Sequence, residues 1–321
     1  MGQDVLVIAE QLKGQLSDVT FELLGKAREL ASANGGQAVV ALLGSGTQDM
    51  AAALGAADVV VCVEHDKLAD FNPEAWVTAL DAVLEARAPR VTLVANTSAG
   101  MDLAAALATR RSWPLAAYAT DVAIEDGQVV ATSQLYGGKI FAESVLEGDA
   151  AVVSVLAGSF PVDAGKGDGA PTVENIEAPA AVADTRLQFV ELIEPEGSDV
   201  DITQHEVLVC VGRGIQSEDN LPIVEELAGA LGGAVCSSRP IVDNKWLPKT
   251  RQVGKSGLKV KPKLYLMLGI SGAPEHWEGM KDAELIVAVN TDEQAPIFEN
   301  AHYGSTEDLF DLVPAMMAKL K

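Results

Sequence analysis

Four short apolar runs near the N-terminus, each set apart from the next by a segment of helical spacing, restrict this chain to a narrow set of folds. The runs Asp4–Ala9, Gln37–Leu43, Asp58–Val63 and Arg90–Ala95 are rich in Val, Leu and Ile. Strands that are apolar throughout, rather than at every second residue, are buried on both faces. Between them the spacing predicts helices over Ser17–Asn34, Thr47–Leu54 and Pro73–Arg87. Ser17 and Asn72 stand where N-caps belong, Asn72 being followed by Pro73 at the first helical position. Asn34-Gly35-Gly36 is a helix stop. Such alternation implies an α/β fold built on a parallel sheet.

After a helix near Ala99–Arg111 the pattern changes. Thr120–Ile124, Gln128–Leu135, Ile140–Leu146 and Ala151–Leu156 read as strands joined by Asp126-Gly127, Gly137-Gly138 and Gly148-Asp149. Short glycine turns between apolar runs predict antiparallel hairpins, so the N-terminal sheet should be mixed. Residues 158–185, rich in Gly, Ala, Pro and Asp, read as a loose connection, and the acidic stretch Glu191–Asp199 suggests a boundary near residue 197. The alternation then restarts. Strands are expected at Glu206–Val211, Ala234–Ser237, Leu264–Leu268 and Leu285–Val289, with helices at Ser217–Leu231 and Thr306–Lys319. The expected architecture is therefore two α/β domains, residues 1–196 and 197–321, the second doubly wound on a parallel sheet.

Charge is distributed unevenly. The 321-residue chain has a net charge of −23, yet residues 239–263 hold eight of its 23 Lys and Arg residues against one acid, Asp243. Pro240, Pro248, Gly254, Gly257 and Pro262 break this run into loops, and loops at strand ends are where α/β proteins bind ligands. An anionic cofactor is expected there. The overall acidity argues against general nucleic-acid binding, which needs broad phosphate neutralisation. No apolar run reaches the roughly 18–20 residues of a membrane helix, and the N-terminus has no basic segment or cleavage site, so a cytoplasmic protein is expected. Cys62, Cys210 and Cys236 lie in apolar runs without CxxC spacing and read as buried thiols. The four histidines have no metal-ligand spacing.

Taken singly, the glycine motifs are weak. Gly212-Arg213-Gly214 sits between a strand and a helix, but Ser217 occupies the third glycine position of a dinucleotide fingerprint. Gly254-Lys255-Ser256 resembles the tail of a Walker A loop, but Lys249 stands where its first glycine is needed. Gly269-Ile270-Ser271-Gly272-Ala273 follows a buried strand and can present amides and a hydroxyl to a phosphate, or be an ordinary βα turn.

Their order is specific. Gly212-Arg213-Gly214, Ser238-Arg239-Pro240, Gln252-Val253-Gly254, Ser256-Gly257, Leu264-Tyr265, Gly269 to Ala273, His276, Gly279-Met280, Ile286 to Asn290, Ala295 to Phe298 and Tyr303-Gly304 together resemble the C-terminal domain of the electron-transfer flavoprotein alpha subunit. The likeness runs through residues 207–321. It extends less specifically to the N-terminal half through Val5 to Glu10, Gly55 to Val60 and Tyr136 to Lys139.

The resemblance implies FAD as cofactor and electron carriage rather than catalysis. It implies a beta subunit as partner, bound through residues 1–196. Flavin dehydrogenases, such as those of acyl-CoA oxidation, would be the donors, and a quinone reductase or similar protein the acceptor. Residue by residue, it places Arg239 against the isoalloxazine with Ser238 beside it, and the Ser256 hydroxyl near the flavin N5, in the loop of Gln252, Val253, Gly254 and Lys255. It places Gly269, Ser271, Gly272 and Ala273 at the ribityl and pyrophosphate, and His276 on the O2 side after Pro274 and Glu275. Asn290, Asp308 and Leu309 fall at the adenosine end, and Arg213 also contacts the cofactor. Three positions depart from the family pattern: Lys255 stands where Gln is usual, Pro274-Glu275 replace a Gln before His276, and His302 replaces an acid. Two other readings stay open: a subunit of a flavin-based electron-bifurcating complex, and an adenine-nucleotide-binding sensor on the same fold.

Overall fold

Burial on both faces organises the N-terminal unit. A computed structural model describes residues 2–192 and 200–320, and the chain divides into two compact units, Met1–Glu191 and Leu192–Lys321. The boundary expected near residue 197 lies outside the described residues. In the first unit, β1 (Val5–Ile8), β4 (Ala38–Gly44), β5 (Val59–Glu64) and β6 (Val91–Ala95) are almost wholly buried and pair in parallel. The strands β2 (Gln11–Leu12) and β3 (Gln15–Leu16) form a separate small hairpin. Helices α1 (Asp18–Asn34), α2 (Gln48–Ala53), α3 (Pro73–Arg87) and α4 (Ser98–Arg111) connect the central strands. In α1, Val19, Leu23, Ala27, Leu30 and Ala31 recur at helical spacing to make its buried face. Gly35, at φ 71°, ends it. Asn72 caps α3 through its side-chain oxygen, which accepts from the Glu74 and Ala75 amides. Ser17 precedes α1 but caps nothing: its hydroxyl donates to the Glu10 carbonyl instead.

The mixed part follows the glycine turns only in part. Strands β7 (Leu115–Glu125), β8 (Gln128–Leu135) and β9 (Ile140–Leu146) are antiparallel neighbours. Strand β10 (Ala151–Val155), expected to continue the meander, instead returns to the sheet interior and lies parallel between β6 and β7. Its five residues are all buried, which a position beyond the edge strand β9 would not allow. Nor is residues 158–185 merely a loose connection. It contains β11 (Thr172–Glu177), parallel to β5, and the sheet order is β11-β5-β4-β1-β6-β10-β7-β8-β9. β11 is largely polar, with only Val173 and Ile176 apolar and none of its residues fully buried, as an edge strand allows, so it carries little hydropathy signal.

The second unit is a five-stranded, wholly parallel sheet. β12 (Val207–Val211), β13 (Ala234–Ser237), β14 (Leu264–Leu268), β15 (Leu285–Val289) and β16 (Tyr303–Ser305) lie in the order β13-β12-β14-β15-β16. Apolar clusters pack on both faces, one around Tyr265 and Met267, the other around Val209 and Leu268. The helix expected from Ser217 begins as a 3₁₀ turn, and α5 (Leu221–Ala230) starts with Pro222 in its first turn. The short helices α6 (Arg239–Asp243) and α7 (Pro274–Trp277) follow β13 and β14. The last helix, α8 (Leu309–Leu320), begins three residues later than expected, because the Asp308 carboxylate accepts from the Phe310 amide and caps it. Among the described residues no helix is long and apolar enough to cross a membrane.

Candidate functional site

The strand order places one position above all others for a ligand. In chain order the second sheet reads 2-1-3-4-5, so the direction of winding reverses between β12 and β14. Loops leaving the carboxyl ends of two such strands diverge and leave a crevice. A cleft of about 710 Å³ lies there, within the roughly 300–1,000 Å³ usual for cofactor sites.

Four strand-end loops build it. The turn after β12 carries Arg213 and Gly214, and the Gly214 amide donates to the Gly269 carbonyl at 3.1 Å. After β13, the Ser238 amide donates to Val211, and Arg239 begins α6. The loop of Gln252 to Gly257 is anchored at both ends: Val253 donates to the Ser237 carbonyl at 2.9 Å and Lys255 to the Glu275 carbonyl at 2.7 Å. After β14, Gly269 (φ 67°) and Gly272 (φ 91°) turn the chain through backbone shapes that suit glycine. The Asn290 side-chain amide donates to the Ile270 carbonyl at 2.9 Å and holds this turn against the end of β15.

Of the predicted residues, Arg213, Ser238, Arg239, Gln252, Val253, Gly254, Lys255, Ser256, Gly269, Ser271, Ala273, Glu275, His276, Asn290, Asp308 and Leu309 all line the cleft. Gly272 and Pro274 do not. A Cβ at Gly272 would meet the Ile297 backbone nitrogen at 2.4 Å, so this glycine shapes the turn, while Pro274 opens α7. Sequence reasoning missed Gln216, Thr291, Asp292 and Glu307, which also line it. Gln216 arrives through a positive φ of 68° that no local sequence signal announces.

The electrostatics differ from the expectation of a cationic site. Only Arg239 and Lys255 of the eight cations in residues 239–263 line the cleft. Lys263 instead pairs with Glu206 at 2.7 Å, and Arg251 donates to the Val235 carbonyl. The cleft also receives Asp243, Glu275, Asp292, Glu307 and Asp308, so carboxylates outnumber its three cations. Arg239 forms an exposed i,i+4 pair with Asp243 at 3.3 Å, a contact worth about 0–1 kcal/mol and easily exchanged for a ligand. A bound anion must therefore rely on backbone amides and hydroxyls as much as on charge.

His276 is the most unusual group in the site. It is only 6% exposed, and its Nε2 lies 3.1 Å from the Tyr265 hydroxyl and 3.8 Å from Cys210 Sγ. Burial lowers its pKa to about 4, against a smaller opposing effect of the Val253 backbone, so the ring is neutral at pH 7. Its Nδ1 is buried with no well-formed hydrogen bond. A buried polar atom left open at a cleft wall is what a ligand acceptor would complete. Cys62, Cys210 and Cys236 are all buried and free, and burial pushes the Cys210 thiol well up in pKa. No group of His, Cys, Asp and Glu that could hold a metal occurs among the described residues.

A family model described as the electron transfer flavoprotein domain matches residues 5–181, and one described as the electron transfer flavoprotein FAD-binding domain matches residues 201–281. The electron transfer flavoprotein subunit alpha of Methylophilus methylotrophus is 37% identical over 98% of both chains. The chain belongs to the electron transfer flavoprotein alpha-subunit family. Its other relatives include Protein FixB of Clostridium saccharobutylicum, 35% identical over 99% of this chain and 96% of the relative. The acryloyl-CoA reductase electron transfer subunit beta of Anaerotignum propionicum is 33% identical over the same shares. Members of this family are electron-transfer proteins rather than catalysts, and FAD is their cofactor. The resemblance read from the glycine, Ser-Arg and His276 motifs is thereby borne out at the level of family.

Proposed function

We propose that this chain holds FAD in the cleft and, paired with a beta subunit in the cytoplasm, relays electrons from flavin dehydrogenases to a quinone reductase or similar acceptor. The observation that carries this reading is the switch-point cleft, whose wall contains a buried ring nitrogen of His276 without a well-formed hydrogen bond. When bound, FAD supplies the electron chemistry; the protein orients it and sets its potential. Arg239 and Ser256 would lie along the isoalloxazine, and neutral His276 would serve its O2 edge as a hydrogen-bond donor. Ser271 and the backbone of Gly269 to Ala273 would hold the ribityl and pyrophosphate. The carboxylates Asp292, Glu307 and Asp308 suit the hydroxyl and amino donors of adenosine. The beta subunit would cover the exposed apolar side chains of the β8–β9 turn region, Tyr136, Ile140 and Phe141.

Replacing His276 or Arg239 by Ala tests the placement. Both variants should retain the fold and lower the potential of bound FAD; if both titrate like the parent, the flavin lies elsewhere. Similarity to the electron transfer subunit of an acryloyl-CoA reductase favours a second reading, a bifurcating complex with a second FAD in the partner. Counting FAD per heterodimer decides between them: one supports the simple carrier, two the bifurcating complex. A colourless heterodimer that binds adenine nucleotides but no flavin would support the sensor reading instead.

A further inference from the structure

We propose that Tyr265 acts as a positioning residue that fixes His276 as its Nδ1–H tautomer, so that the ring offers a fixed Nδ1–H donor to the cofactor in the cleft. The donation to the cofactor rests on the placement of FAD described above; the choice of tautomer does not.

Tyr265 is fully buried in the middle of the sheet, one strand from Cys210 and two from Cys236. The polar groups around its hydroxyl are of very unequal quality. His276 Nε2 lies at 3.1 Å, while Cys236 Sγ lies at 3.7 Å and the thiol of Cys210 approaches Nε2 at 3.8 Å. A phenol donates well to an unprotonated imidazole nitrogen, whereas thiols are weak donors and weak acceptors. If the Tyr265 proton points to Nε2, the Cys236 thiol can donate to the phenol oxygen, so thiol and phenol both have acceptors, and Nδ1–H is left to the Val253 backbone, which favours a protonated ring nitrogen, and to a ligand in the cleft. The opposite tautomer puts the proton on Nε2, makes Tyr265 the acceptor and leaves its own proton only sulfur to bond. The first arrangement therefore wins. It assigns the ring proton to Nδ1, the one nitrogen that the protein leaves without a well-formed partner. A neutral ring at pH 7, as burial dictates, needs this choice to be made for it, because the second nitrogen is what determines the tautomer.

The experiment uses the full-length heterodimer with ¹⁵N-labelled histidine, with its FAD and after FAD is stripped, and reads the two ring nitrogens of His276 by NMR at pH 7. His276→Gln identifies the signals. The expected result is protonated Nδ1 and unprotonated Nε2 in both forms, with the Nδ1–H resonance shifting when FAD is added back. In Tyr265→Phe the ring should become a mixture of tautomers, and the potential of bound FAD should fall. Cys236→Ala should leave the tautomer unchanged, since the phenol–imidazole bond remains. Protonated Nε2 in the unmodified protein overturns the proposal by itself, even if Tyr265→Phe does not fold. An unaltered tautomer in folded Tyr265→Phe also overturns it. A protonated Nδ1 that FAD does not move overturns the donation to the cofactor alone, and places the error in the site of FAD rather than in Tyr265.

Discussion

Gly214 and Gly269 meet backbone to backbone at the point where the second sheet reverses its winding. A Cβ on Gly269 would lie 2.5 Å from the Gly214 Cα, and Gly269 has a φ of 67°. Gly269→Ala therefore combines a left-handed backbone with overpacking against a neighbour that has no side chain to move. The two costs together come to roughly 2–5 kcal/mol. A lowered denaturation midpoint with loss of FAD is expected. Gly229 in α5 provides the contrast. Nothing lies within 4 Å of a Cβ there, so Gly229→Ala should stabilise by up to about 1 kcal/mol.

The depressed pKa of His276 gives the fold a defined acid sensitivity. Its ordinary value is 6.5 and its value in the folded chain is about 4. Between these the unfolded chain binds a proton that the native protein refuses, so stability falls as pH falls. The contribution is complete above pH 6.5 and is lost progressively toward pH 4, amounting to about 3 kcal/mol in total. Urea unfolding of the cofactor-free protein at several pH values should show this slope, and His276→Gln should flatten it. Parallel pH profiles for the two proteins would mean that His276 titrates normally.

Much of this was legible in the sequence, and the exceptions have physical causes. The central strands were readable because burial on both faces makes them continuously apolar, as at Val39 to Leu43 and Leu208 to Val211. β11 was not, because an edge strand such as Thr172-Val173-Glu174-Asn175 needs no apolar outer face. β10 was recognised as a strand but given the wrong neighbours, since its partners Val91 and Leu115 are distant in sequence. The cleft residues were legible through a family motif rather than through charge. The cationic run suggested a positive pocket, whereas Asp292 and Glu307 reach the same cleft from loops that charge counting does not connect with it.

The outer antiparallel strands should be a partner surface. Tyr136 is 79% exposed, and Ile140 and Phe141 are more than half exposed on the edge strand β9 or beside it. An apolar edge of this kind promotes aggregation unless covered. The chain produced alone is expected to self-associate or lose FAD, and coexpression with a beta subunit should correct both. Phe141→Glu should weaken the heterodimer about tenfold or more, as loss of a buried aromatic anchor does. Gel filtration and titration of the two subunits measure this, and an unchanged affinity would place the interface elsewhere.

On the proposed placement of FAD, Lys255, which the family resemblance sets where Gln is usual, should tune the flavin. It lines the cleft, and its backbone is pinned to Glu275 by a 2.7 Å hydrogen bond, so the start of its side chain is fixed. At about 6 Å from added negative charge and an effective dielectric near 20, attraction reaches at most about 3 kcal/mol. The residue is exposed, and solvent screening brings the expected effect to about 1 kcal/mol or less. For a one-electron step that is a few tens of millivolts. Lys255→Gln should accordingly lower the first reduction potential of bound FAD by that amount, with FAD retained and stability unchanged. Raising the salt concentration should shrink the difference between the two proteins, because the interaction reaches through solvent. A potential identical to the parent's at low salt and full FAD occupancy would show that the ammonium group points away from the flavin.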